Sequence, residues 1–135
     1  MKWVNKMIGS LGTLIFMVSS SRFLTFHNFK REISSTWNTV ERIGMKPLPQ
    51  FGGAKLQSLS LVITLDAQLG VKPREMIEKI EKMIEAGEAN PLIIGKNIVG
   101  SHEWVITKSS ESWDYLLNKG ELIKATVTIN LQEYL

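Results

Sequence analysis

The chain has 135 residues, 44% of them hydrophobic and 21% charged, enough for one domain with its own core and leaving little room for a second. It contains no cysteine, which excludes disulfides, thiolate nucleophiles and cysteine-ligated zinc or iron–sulfur centres. The net charge of +3 is too small to argue for nucleic acid, but it is unevenly spread: residues 1–65 sum to +6 and residues 66–135 to −3.

Lys2 and Lys6 precede an uncharged run, Met7 to Ser21, with the outline of a signal peptide. The run is too short to span a bilayer, and Gly9, Ser10 and Gly12 interrupt it. Leu14, Phe16 and Val18 alternate with Ile15 and Met17, which predicts a buried first strand opened by Gly9 and Gly12, closed by Ser19–Arg22 and preceded by an arm over residues 1–8. Phe23–Phe26 reads as a second, short strand. Residues 32–43 are rich in β-branched and hydroxyl side chains, which disfavours helix and predicts a twisted strand ending at Gly44. Pro47, Pro49, Gly52 and Gly53 predict an irregular loop over 44–54.

Leu59, Leu61, Ile63 and Leu65 alternate with Ser58, Ser60, Val62 and Thr64, a strand signal. The period then changes. Met76, Ile77, Ile80, Met83 and Ile84 form one helical stripe, with Pro73 suited to its first position and Gly87 to its left-handed stop. Glu75–Lys79 and Glu78–Lys82 stand in the favourable i,i+4 order, worth roughly 0.2–0.5 kcal/mol each. Leu92–Ile94 and Ile98–Val99 flank Gly95-Lys96-Asn97, which predicts a hairpin whose second strand runs on through Trp104. Finally Ile123, Ala125, Val127, Ile129 and Leu131 alternate unbroken with polar residues, folding back on 103–117 through Asn118-Lys119-Gly120. Arms of about a dozen residues make this C-terminal hairpin (103–132) on the order of 40 Å long. That length predicts an overhang beyond the core, with Trp113, Tyr115, Leu116 and Leu117 at its tip as a partner surface.

No motif in the sequence carries chemistry. His27 and His102 are the only histidines and share no metal-ligand spacing. Gly95-Lys96 lacks the upstream glycine and the following Ser/Thr of a phosphate loop. Glu75, Glu78, Glu81, Glu85 and Glu88 read as a solvated helix face rather than an isolated acid pair. Phe23, Phe26, Phe29 and Trp37 interleave with Arg22, Lys30 and Arg31, as in a stacking platform for single-stranded nucleic acid. At 8% aromatic content, the favoured reading puts Phe23, Phe26 and Trp37 in the core.

Several stretches in order resemble the GpU family of phage tail proteins: Gly12–Val18; Leu24-Thr25-Phe26; Trp37 with Glu41–Pro47; Leu59-Ser60-Leu61 with Thr64-Leu65; Gly87; Gly100 with Trp104-Val105-Ile106; and Gly120 with Thr128–Leu131 and Tyr134. The likeness covers roughly residues 8–135, and the ordered combination carries it rather than any one motif. Asp66–Gly70 departs from the family's usual proline and glycines after the strand. The resemblance implies a non-enzymatic structural subunit of a contractile tail, in a phage or a phage-like bacteriocin, in about six copies around the axis. It favours the baseplate, between the tube or hub and the sheath or wedge proteins, with a tail-completion role at the head-proximal end as the alternative. A small single-stranded nucleic-acid-binding module is the rival of another class. No catalytic, cofactor-binding or metal-ligating residue is implied, nor a nucleic acid, membrane or small-molecule partner, and assembly is expected in the bacterial cytoplasm.

The expected fold is one α+β domain over 1–135: an antiparallel β-sandwich or split barrel, tail-tube-like, with one amphipathic helix and a long C-terminal β-hairpin. Expected interface residues are Arg42, Lys46, Trp113, Tyr115, Leu116 and Leu117, with Tyr134 and Leu135 as a terminal tether or as the end of the last strand.

Overall fold

A computed structural model describes residues 6–12, 14–18, 23–24, 26–117 and 119–135. In chain order the strands are β1 (Lys6–Leu11), β2 (Leu14–Val18), β3 (Phe23–Leu24), β4 (Phe26–Glu32), β5 (Ser35–Val40), β6 (Leu48–Ala54) and β7 (Ser58–Asp66). After helix α1 (Pro73–Ala86) come β8 (Ala89–Asn90), β9 (Leu92–Ile94), β10 (Asn97–Ile98), β11 (Glu103–Leu116) and β12 (Leu122–Tyr134). They form two five-stranded antiparallel sheets, ordered β10-β9-β1-β2-β3 and β4-β7-β12-β11-β8, and a separate pair, β5-β6.

The second sheet organises the fold. Leu59, Leu61, Ile63 and Leu65 of β7 and Ala125, Val127, Ile129 and Leu131 of β12 are all buried, while the residues between them are half-covered or exposed. Period-2 alternation thus gives this sheet one dry face. Against that face pack Met76, Ile77, Ile80 and Met83 of the helix and Leu11, Leu14, Leu24 and Leu92 of the first sheet, in a single cluster. The result is an α+β sandwich with the open, curled form of a split barrel. Trp104 is the largest buried side chain, and its indole N–H donates to the Val99 carbonyl (2.9 Å), which satisfies its one polar group.

The helix begins with Pro73 in its first turn and stops at Gly87, whose φ of 64° and N–H bonds to Met83 and Ile84 close the last turn. Its ion pair is the exposed Lys72–Glu75 contact at 3.8 Å rather than the i,i+4 pairs expected from spacing. Gly9 lies inside β1 between β2 and β9, where a Cβ would run into the Ile93 carbonyl oxygen.

Several expectations need correction. A strand already begins at Lys6, inside the supposed arm of residues 1–8, and β2 is the return strand of a hairpin turned at Gly12. Residues 1–5 and Ser19–Arg22 lie outside the described residues, as do Thr25 and Asn118. Phe23–Phe26 is not one strand: β3 and β4 join different sheets. The β9–β10 connection has two residues, Gly95 and Lys96, since Asn97 pairs with Ile94; a bend then separates β10 from Trp104 in the other sheet.

Two corrections change the functional picture. The segment 44–54 is not a loop, because Leu48–Ala54 forms β6 against β5. Pro49 is tolerated because β6 is an edge strand, and Gly52 is absorbed as a bulge between the Thr36–Gly53 and Trp37–Phe51 pairs. The C-terminal hairpin, in turn, does not overhang the core. Strand β12 pairs with β7 continuously from Lys124–Asp66 to Gln132–Ser58, so it is the sheet's central strand. The part that stands off the core is the β5–β6 arm.

Ile129 and Ile43 separate core from arm cleanly, being 0% and 102% exposed. Ile129→Ala should lower unfolding free energy by about 2–5 kcal/mol. Ile43→Ala should change it by no more than about 0.5 kcal/mol. Urea titration of the two variants measures both, and equal effects would contradict this division.

Candidate assembly surfaces

The β5–β6 arm is built by local pairing alone. Ser35 pairs with Ala54 and Val40 with Leu48, and the Lys55 N–H donates to the Ser34 carbonyl (3.0 Å) at the base. Trp37 and Phe51 face each other across the ladder, rings 5.3 Å apart in an edge-to-face arrangement, and the Trp37 indole N–H donates to Ser35 Oγ (2.9 Å). Arg42 closes the tip: its Nε and Nη2 donate to the Lys46 carbonyl at 3.1 and 2.9 Å, around Gly44 at φ 70°. Every residue from Trp37 to Gly52 is exposed. Trp37 and Phe51, both 61% exposed, are therefore not core aromatics, whereas Phe26 does pack against the core. A lone two-stranded hairpin is marginal in water, and a run of exposed apolar side chains on it makes a candidate contact surface.

A second surface lies at the far end of the β11–β12 hairpin. The guanidinium of Arg74 sits 5.2 Å from the centre of the Trp113 ring, whose N–H donates to Glu111 (3.0 Å). Tyr115, Leu116 and Leu117 are exposed beside it. The loop is held by Leu117 N–H to the Glu121 carbonyl (2.9 Å) and Gly120 N–H to the Leu117 carbonyl (2.8 Å). Between this loop and the helix start runs a groove of about 570 Å³, lined by Val71, Pro73, Arg74, Glu121 and Leu122 among others.

At the opposite end of the sheet, Tyr134 pairs with Glu103 as the last ladder residue, and Leu135 is exposed. The expected interface residues thus fall in three places: Arg42 and Lys46 at the arm tip, Trp113, Tyr115, Leu116 and Leu117 at the hairpin end, and Tyr134 and Leu135 about 40 Å along β12 from that hairpin end. Composition did not single out Trp37, Ile43, Met45, Leu48 or Phe51 as surface residues.

Beside Tyr134 is a polar knot that no motif announces. His102 Nδ1–H donates to Glu133 Oε2 (2.9 Å), and the Gln57 N–H donates to Glu133 Oε1 (3.3 Å). The Glu133 N–H returns to the Gln57 carbonyl (2.9 Å), while Arg31 Nε and Nη2 donate to Gln57 Oε1 at 3.1 and 2.6 Å. The His102 hydrogen bond, then the Gln57 N–H, holds the Glu133 carboxyl below its usual range, against a smaller opposing effect of burial. Among the described residues no group of three or more His, Asp or Glu side chains is placed to hold a metal, and no helix is long and apolar enough to cross a membrane.

The sequence profile of the Phage P2 GpU family matches residues 12–135. The chain belongs to this family. It is accordingly a phage tail-related structural protein, associated with the virion and with other tail proteins. A search of curated proteins returned no match. For this GpU-family chain, the surfaces that bear on function are accordingly those that other tail proteins can reach.

Glu133 also yields a test of the polar knot. Because its folded pKa is depressed, its contribution is present above the unfolded carboxylate value, about 4.3. It is lost as pH falls through the lower folded value. Thermal unfolding of Glu133→Gln from pH 7 to pH 3 should therefore show a shallower acid-side decline than the parent. Parallel declines would remove Glu133 from the acid response.

Proposed function

We propose that the protein is a non-enzymatic subunit of a contractile phage tail or phage-like bacteriocin, present in about six copies around the axis at the baseplate. In this reading it joins the tube or hub to the sheath or wedge proteins. One observation carries it: the arm from Trp37 to Gly52 exposes aromatic and aliphatic side chains along its whole length while contributing nothing to the core. Fully burying such side chains contributes about 1.5–3 kcal/mol each, so they are an unused store of contact energy in the single chain. Tail membership supplies the neighbours that would cover them. The mechanism is mechanical, with interfaces made on assembly and altered on contraction.

Removing the arm tests this directly. Because Ser35 and Ala54 already pair, residues 36–53 can be replaced by a two-residue turn at the base. The shortened chain should unfold cooperatively at near-parental denaturant concentration yet fail to support tail assembly. Contractile particles of normal yield and morphology would refute the role given to the arm, and imaging of parental particles checks the baseplate position.

A further inference from the structure

We propose that strand β5 of one copy adds to the open edge of β11 in the next copy, a head-to-tail contact that closes a ring. This rests on the multi-copy arrangement proposed above and says which surfaces make it.

The arm has one edge that is protected and one that is not. Natural edge strands are guarded against pairing by charges, prolines or bulges. On β6, Pro49 removes a donor and Gly52 forms a bulge. On β4, Lys30, Arg31 and Glu32 are exposed, and a register shift between His27 and Lys30 accompanies Asn28 at φ 54°. Strand β5, Ser-Thr-Trp-Asn-Thr-Val, has neither charge nor proline, and four of its six residues favour strands. Since Pro49 cannot donate, its pair with Thr39 belongs to the set that exchanges no hydrogen bonds, and Thr39 directs its N–H and C=O outward. An uncharged strand with outward-facing donors and acceptors is a template for strand addition.

The receiving edge is on β11. Strand β8 covers it only at Trp104 and Val105. Register shifts after Ile106 and after Trp113 then bound an unshifted run, Lys108–Trp113, of the same six-residue length as β5. Charge favours this pairing over that of β5 with itself. The arm, 33–56, carries Arg42, Lys46 and Lys55 against Glu41, for +2, and β11 carries Glu103, Glu111 and Asp114 against Lys108, for −2. Pairing β5 with β5 would bring two positive arms together; pairing it with β11 joins opposite signs. Because donor and acceptor surfaces differ, the contact is heterologous and can close into a ring.

The chain's lack of cysteine makes the test clean. Tails are assembled with Thr39→Cys combined in turn with Ser109→Cys, Ser110→Cys and Ser112→Cys, then oxidised and run without reductant. A ladder of self-cross-linked species from at least one pair, absent in every single variant, supports the proposal. In the parental, cysteine-free chain, Thr39→Pro should sharply reduce incorporation into tails while leaving monomer stability within a few degrees of parental Tm, and undiminished incorporation would overturn the pairing. Dimers from Thr39→Cys alone would show β5-on-β5 pairing and overturn it, as would a cross-link to a different tail protein. Monomers from all three pairs, in tails that contain the chain, would overturn the pairing and leave the tail role standing. Tails lacking the chain altogether would remove both.

Discussion

Strand β12 lies between β7 and β11, and the rest of the molecule is arranged around that placement. Its Ala125, Val127, Ile129 and Leu131 complete a dry face with the leucines and isoleucine of β7, and both the helix and the first sheet need that face to bury their own apolar residues. A one-residue slip in the β7–β12 register would turn every one of these side chains to the wrong side. The unbroken alternation of Ile123–Gln132, with polar partners Ser60, Thr64, Thr126 and Thr128 on the other face, specifies the register against that slip.

With the sheet so determined, what remains outside it acquires meaning. A polypeptide of this size has few residues to spare, yet about twenty of them, the arm, are spent on a hairpin that shelters nothing. In a free monomer such a segment is a liability for aggregation; in a tail, where other tail proteins stand at high local concentration, the same apolar side chains are within reach of neighbours. GpU-family membership gives that second setting a physical basis. The hairpin end with Trp113 and the C-terminal Tyr134 and Leu135 remain available for other contacts.

Elements whose residues repeat with one clear period were legible before any coordinates: β7, α1 and β12 each declare themselves through burial on one face. Strand β6 was hidden because Pro49 and Gly52-Gly53 are loop-forming in isolation and become strand residues only where an edge needs no donor. Length alone made the last hairpin look like an overhang, since a sequence does not reveal that β7 lies along the full run of β12. Trp37 is misleading for a similar reason: aromatic identity argues for burial, but the β5–β6 pair stands apart from both larger sheets and contributes nothing to the core, which leaves the ring in water. The Glu133 knot joins residues 31, 57, 102 and 133, too scattered for any local pattern to announce.

The position of β12 also bears on how the protein is made. Its ladder with β7 joins residues from 58 apart (Asp66 and Lys124) to 74 apart (Ser58 and Gln132). During translation, at about 5–20 residues per second, β7 therefore waits several seconds with its β12-facing edge unpaired. The arm, by contrast, closes through contacts at most about twenty residues apart and can form while the rest is still being synthesised. The exposed apolar side chains of the arm thus leave the ribosome well before β12 completes the core that the rest of the chain depends on.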